Sequence, residues 1–176
     1  MTNPQNKKVR MTKFLLKKSL FEYLAEKPIT ELNVKMICNK AQINRSTFYL
    51  HYKSIDDMLN SIKEEEISHF EKYIESIIST ENEYQVCVGC LNYIKDNAFL
   101  FKVLFSGNYP DFEVNYVKCV SKYMNNNLMA NQSIYESIFI TAGCLHISKY
   151  WLDNGCIQPA SEVAEQLLKI ISKLYK

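Results

Sequence analysis

Asn33-Val34-Lys35-Met36-Ile37-Cys38-Asn39-Lys40-Ala41-Gln42-Ile43-Asn44-Arg45-Ser46-Thr47-Phe48-Tyr49-Leu50-His51-Tyr52-Lys53 carries the most specific pattern in the chain. Asn33 suits a helix N-cap, because its side-chain oxygen can accept from a free amide of the first turn. Val34, Ile37, Cys38 and Ala41 follow at i, i+3, i+4 and i+7, which is one apolar helical face. The pattern breaks at Gln42-Ile43. Asn44 then reads as a second N-cap, opening a second short helix from Arg45 to about Tyr52. Phe48 and Tyr52, four residues apart, are expected to point inward with Ile43. The other face carries Arg45, Ser46, Thr47, Tyr49, Leu50 and His51. Two short capped helices joined by a tight turn, the second with a polar, aromatic and basic outer face, form a helix-turn-helix pattern.

Upstream, residues 1–10 read as a loose arm bearing Lys7, Lys8 and Arg10. A first helix is expected from about Thr12 to Lys27. Leu16, Leu20 and Leu24 repeat along it every four residues beside Phe21, opposite Lys13, Lys17 and Lys18. Pro28 stops it. Charge is unevenly spread. Residues 1–53 hold eleven Lys and Arg against three acids, a net +8, while residues 54–176 are net −6. A basic first third on an acidic body points to a polyanionic partner.

Downstream, Ser54 and Asp57 form a near capping box for a fourth helix running to about Ser79. Further helices are expected at about 84–96, 98–105, 110–126 and 132–153, then one capped by Ser161. Gly155 is the residue expected just past a helix end. The fold class is therefore all-α, with about nine helices, in two domains at 1–53 and 54–176. Only four Gly and four Pro in 176 residues fit that reading. The last two long helices carry apolar residues on two sides, so they are expected to pair with their copies across a twofold axis. The residues assigned to that interface are Ile134, Ile138, Ala142, Leu145, Leu152, Val163, Leu167, Ile171 and Leu174.

The run Arg45-Ser46-Thr47-Phe48-Tyr49-Leu50-His51-Tyr52-Lys53-Ser54, with Ile37, Ala41 and Ile43 before it and Leu59 after, resembles the DNA-binding domain of the TetR family of bacterial transcriptional repressors. Gln42 stands where that family usually has Gly, and Asn33 where it usually has Thr or Ser. The resemblance implies a homodimer on a palindromic operator in double-stranded DNA. Arg45 is the best base reader, since its fork suits guanine O6 and N7, and Ser46 and Leu50 are further base contacts. By resemblance, Asn44, Thr47, Tyr49, His51 and Lys53 hold phosphates, with Lys35 as a further contact. It also implies a small-molecule effector in the second domain. The aromatics Phe70, Tyr73, Tyr93, Phe105, Phe112, Tyr116 and Tyr123 are its candidate pocket, a plain aromatic core being the alternative.

No cofactor and no metal site is expected. Cys87-Val88-Gly89-Cys90 lacks two further zinc ligands at suitable spacing, which leaves buried structural thiols or a redox sensor as readings. No glycine-rich phosphate loop or His-Glu-x-x-His pair argues for an enzyme. A ligandless or protein-controlled regulator of the same fold is an alternative, and a helical adaptor that does not bind DNA a further one. The polar start and the absence of a long apolar run suggest a cytoplasmic protein with no membrane partner.

Overall fold

The computed structural model describes residues 4–78, 81–127 and 133–174, with side chains at 7–78, 81–121, 133 and 135–174. Among the described residues the chain is all-α, with nine α-helices, one short 3₁₀ turn and no strand. The helices are α1 (Pro4–Leu24), α2 (Val34–Ala41), α3 (Arg45–Tyr49), α4 (Ile55–Ile78), α5 (Glu83–Asp96), α6 (Ala98–Leu104), α7 (Pro110–Asn127), α8 (Ile134–Asp153) and α9 (Ala160–Leu174). The 3₁₀ turn is Ile29–Glu31. Two compact units divide the chain, Met1–Glu65 and Glu66–Lys176, and the division falls inside α4.

In the first unit, Leu16, Leu20 and Phe21 of α1 are buried with Ile37, Cys38 and Ala41 of α2 and Phe48 of α3. The unit ends later than the expected boundary at 53/54. Ile55, Met58, Leu59 and Ile62 of α4 are buried, and Lys13 of α1 pairs with Glu65 at 3.6 Å. Residues 4–10 are not a loose arm but the first turns of α1. Proline is tolerated at such a start because the first helical amides have no intrahelical acceptor.

The turn after α2 has a specific geometry. Gln42 sits in the left-handed region at φ 56°, ψ 42°. Its amide donates to the Asn39 carbonyl at 3.2 Å, and that of Ile43 to Cys38 at 2.9 Å. This pair of bonds is a Schellman ending, which normally favours glycine at the left-handed position. Gln42 is solvent-exposed, so its conformational cost is not offset by packing of its side chain. Gln42→Gly should therefore raise stability by up to about 1 kcal/mol, and Gln42→Val should lower it by about 1–2 kcal/mol. Urea denaturation checks both. Equal stability of the Gly and Val variants would remove the strain.

The second unit has two cores. One is aromatic: Phe70 of α4, Phe101 of α6, Phe105 just after it, and Phe112 and Tyr116 of α7 are all buried. Phe70 stacks on Tyr116 at 5.0 Å, and Phe101 meets Phe105 at 5.1 Å. The other joins Leu91 of α5, Trp151 of α8 and Val163, Ala164 and Leu167 of α9. Asn82 and Gln85 form a capping box that opens α5, and Ser133 and Glu136 another that opens α8. After α8, Gly155 at φ 76° and Cys156 at φ 53° close a second Schellman ending, with Cys156 donating to the Trp151 carbonyl at 2.9 Å. The Trp151 indole donates to Gln158 at 2.8 Å and ties the α8–α9 loop down.

Three local expectations are corrected. Ser161 is not a cap but the second residue of α9, whose first-turn amides at Glu162 and Val163 bond to Pro159. α3 ends at Tyr49, where the ladder breaks: the His51 amide bonds three residues back, to Phe48, rather than four. The interface assignment also mixed two faces of α8 and α9. Leu145, Leu152, Val163 and Leu167 are each at most 6% exposed and belong to the unit's own core. Ile138 and Leu174 face outward, as do Tyr135, Phe139, Tyr150 and Ile170. Ala142 and Ile171 are half-buried, and the side chain of Ile134 lies outside the described residues.

Candidate nucleic-acid interface and ligand cavity

The outer face of α3 is built by its two neighbours. Asn33 caps α2 by accepting from the Met36 amide at 3.0 Å. Asn44 occupies the N-cap position of α3 with extended backbone but makes no side-chain cap bond, so its side chain is not spent on the helix. Phe48 is fully buried and Tyr52 nearly so, their rings 5.7 Å apart, and this pins α3 by its inner side. Burial, then the charges of Glu65 and Asp57, push the Tyr52 phenol up to about 12, so it stays neutral. Ser54 accepts from the Asp57 amide at 3.1 Å, and the Asp57 carboxylate accepts from the Lys53 amide at 2.8 Å. The expected capping box is thus realised one residue early, on Lys53 rather than Ser54.

With the inner side fixed, Arg45, Ser46, Tyr49 and Leu50 face solvent, Leu50 at 81% exposure. A single exposed leucine is ordinary on a protein surface and by itself implies no partner. Lys35, Asn44 and Lys53 are exposed, while Thr47 and His51 are half-buried. Lys35, Arg45, Tyr49 and Lys53 border one surface hollow. Asn44, Ser46, Thr47, Leu50 and His51 lie outside its lining. The charges in this unit are partly held in place. Lys40 pairs with Glu22 at 3.2 Å and lies 4.3 Å from the Tyr23 ring centre.

The second unit encloses a cavity of about 660 Å³. Ile74 and Ile78 of α4 face Cys87, Cys90 and Ile94 of α5 across it. Tyr116 and Val120 of α7 and Cys144 and Ser148 of α8 close one side, and Leu168 and Ile171 of α9 another. Gly89 lets α5 come close to α4: a Cβ there would meet the Tyr73 hydroxyl at 2.9 Å and Ile77 Cδ1 at 3.0 Å.

Of the aromatic pocket candidates whose side chains are described, only Tyr116 lines this space. Phe70, Phe105 and Phe112 are core, because edge and stacked contacts fill the room between their rings. Tyr93 donates its hydroxyl to the buried Glu66 at 2.8 Å, and Tyr73 packs on Tyr93 at 5.0 Å. The Tyr123 side chain lies outside the described residues. What sequence reasoning missed is the thiol wall of Cys87, Cys90 and Cys144. The one signal for it was the i, i+3 pair at 87 and 90. Burial raises all three thiols, Cys87 to about 12 and Cys144 to about 11. A thiol held protonated is a poor nucleophile, which opposes the redox-sensor reading. Among the described residues no group of His, Cys, Asp or Glu is arranged to hold a metal ion.

A family model described as the C-terminal region of TetR-type transcriptional regulators matches residues 81–173, just over half of the chain. The chain belongs to the TetR family of transcriptional regulators. No curated protein sequence matches it. Solved structures give the same fold for this TetR-family chain. A TetR transcriptional regulator from Streptococcus agalactiae is 17% identical, with 95% of this chain and 97% of that one covered and a TM-score of 0.71. FadR from Bacillus subtilis, in complex with stearoyl-CoA, is 13% identical over 90% and 96%, with a TM-score of 0.70. The dihydroxyacetone kinase operon activator DhaS is 16% identical over 93% and 95%, with a TM-score of 0.61. At these identities the likeness speaks for fold alone. No described helix is long and apolar enough to cross a membrane.

Proposed function

We propose that this chain is a dimeric, ligand-released repressor that reads a palindromic operator through α3. The observation that carries the reading is the outer face of that helix: Arg45, Ser46, Tyr49 and Leu50 are exposed while Phe48 and Tyr52 anchor the opposite side. Arg45 reads guanine, Ser46 and Leu50 touch base edges, and Lys35, Asn44, Thr47, Tyr49, His51 and Lys53 place the helix on phosphates. The net +8 of residues 1–53 supports a DNA partner. Tyr135, Ile138, Phe139 and Tyr150 recur along one exposed face of α8, and Ile170 and Leu174 are exposed on α9. An apolar patch of that extent supports self-association.

The cavity is the effector site in this proposal. Its α4 wall is Ile74 and Ile78, and α4 is the helix shared by both units. A ligand that fits one position of α4 better than another would shift the population away from the DNA-reading state. That places the effector among thiols and aliphatic side chains rather than among the core aromatics.

One titration tests the DNA reading. Genomic fragments selected by the protein at low ionic strength should share a palindrome and bind two chains per duplex. Arg45→Ala should cost about 1–3 kcal/mol on that site and much less on scrambled DNA. Equal loss on both would take base reading away from Arg45, and a chain that selects no fragment would end the proposal.

A further inference from the structure

The charge of the effector is written on the cavity rim. The cavity is lined by aliphatic side chains and thiols, and its volume of about 660 Å³ falls in the range that holds a drug-sized molecule. Among the described residues its charged lining groups are two, Glu81 and Glu83, and both are acids. Both are exposed, so they stand where the cavity meets solvent. No lysine, arginine or histidine is among its described lining residues.

The remaining feature that could attract an anion is the N-terminus of α5. Two of the amides there are engaged by the capping box. Asn82 accepts from the Gln85 amide at 2.9 Å, and Gln85 accepts from the Asn82 amide at 3.4 Å. Glu83 adds a negative charge to the same first turn. Inside, Cys87 and Cys144 are kept protonated by burial, so the wall itself is uncharged at neutral pH. Tyr84 lines the cavity next to the two acids, and an aromatic face beside carboxylates favours a cation.

We propose that the cavity binds a cationic amphiphile, with its apolar tail among Ile74, Ile94, Leu168 and Ile171 and its cationic head between Glu81 and Glu83. This rests on the reading of the cavity as the effector site. It separates the chain from a regulator whose ligand is an acyl carboxylate or thioester with an anionic head.

Three probes that share one tail test it on the full-length protein: dodecyltrimethylammonium, dodecanol and dodecanoate. Each is titrated below its micelle concentration by calorimetry, and by displacement of the neutral dye N-phenyl-1-naphthylamine. The ammonium probe should bind at least tenfold more tightly than dodecanoate, with dodecanol between them. The Glu81→Gln/Glu83→Gln variant should close that gap while leaving dodecanol unchanged, because exposed rim acids contribute little to folding. Leu168→Trp, which fills the cavity, should weaken all three. Dye displacement needs no variant and covers the case in which that protein does not fold. Dodecanoate binding as tightly as the ammonium probe, or a gap that survives the double variant, would overturn the charge selection and leave the cavity a binding site. Failure of all three probes to bind or to displace dye would remove the cavity reading itself.

Discussion

Phe101→Ala is expected to cost about 3–5 kcal/mol, enough to lower the melting temperature by roughly 10 °C. Phe101 has no solvent exposure, and its ring lies 5.1–6.5 Å from those of Phe70, Tyr93, Phe105, Phe112 and Tyr116. Removing it withdraws one side of five ring contacts at once. The rings come from four helices and cannot all move in to fill the gap, so a void remains and its cost adds to the lost transfer free energy. Phe101→Leu keeps most of the volume and should lose about 1 kcal/mol, the difference isolating the ring contacts. Urea denaturation followed by circular dichroism gives both values. A loss below 1 kcal/mol for the alanine variant would mean that the cluster is not what holds α4, α5, α6 and α7 together.

Stability should also collapse above pH 9, and the thiol wall is the reason. The ordinary thiol value is 9.0, and burial pushes Cys87 up to about 12 and Cys144 to about 11. Between those limits the unfolded chain releases its thiol protons while the folded chain keeps them. The folded state then binds more protons than the unfolded state, so stability falls as pH rises. The contribution is fully present below pH 9 and is lost as pH climbs through 11 to 12. From Cys87 alone the full loss is on the order of 4 kcal/mol. Tyrosines titrate from 10 upward and add to the fall, so the thiols own the first part of the window. Replacing Cys87, Cys90 and Cys144 together by Ala should flatten the curve between pH 9 and 10 and leave the higher part in place. A wild-type urea midpoint that does not change from pH 8 to pH 10 would contradict the burial of these thiols. The same protonation predicts slow alkylation by iodoacetamide at neutral pH, since about one thiol in 10⁵ is a thiolate at pH 7 when its titration lies near 12.

The helix-turn-helix was legible in the sequence because its determinants are local. Asn33 reaches three residues to Met36, Ser54 three to Asp57, and Ile37, Cys38 and Ala41 sit on one face by helical period alone. Even the odd residue was readable: a glutamine at a glycine position takes the left-handed conformation because the two backbone bonds of the turn demand it. The same locality misled at the start of the chain. Residues 1–10, with their basic side chains, read as an arm, yet α1 begins at Pro4.

The cavity was not legible, because three candidate aromatics at 70, 105 and 112 have the same sequence pattern whether they fill a core or line a space. Only the ring-to-ring distances decide that they close on one another. Likewise α8 is apolar on two sides, and periodicity cannot choose between them. Leu145 and Leu152 go inward and Ile138 and Phe139 outward because α5, α6 and α7 occupy one side. By itself, then, the sequence determined the helices, several of their caps and the polar, basic outer face of α3, since hydrogen bonds and side-chain spacing within one turn set these. The tertiary structure alone decided which apolar faces meet, where they leave a space, and which thiols and acids border it, since that depends on how helices distant in sequence share volume.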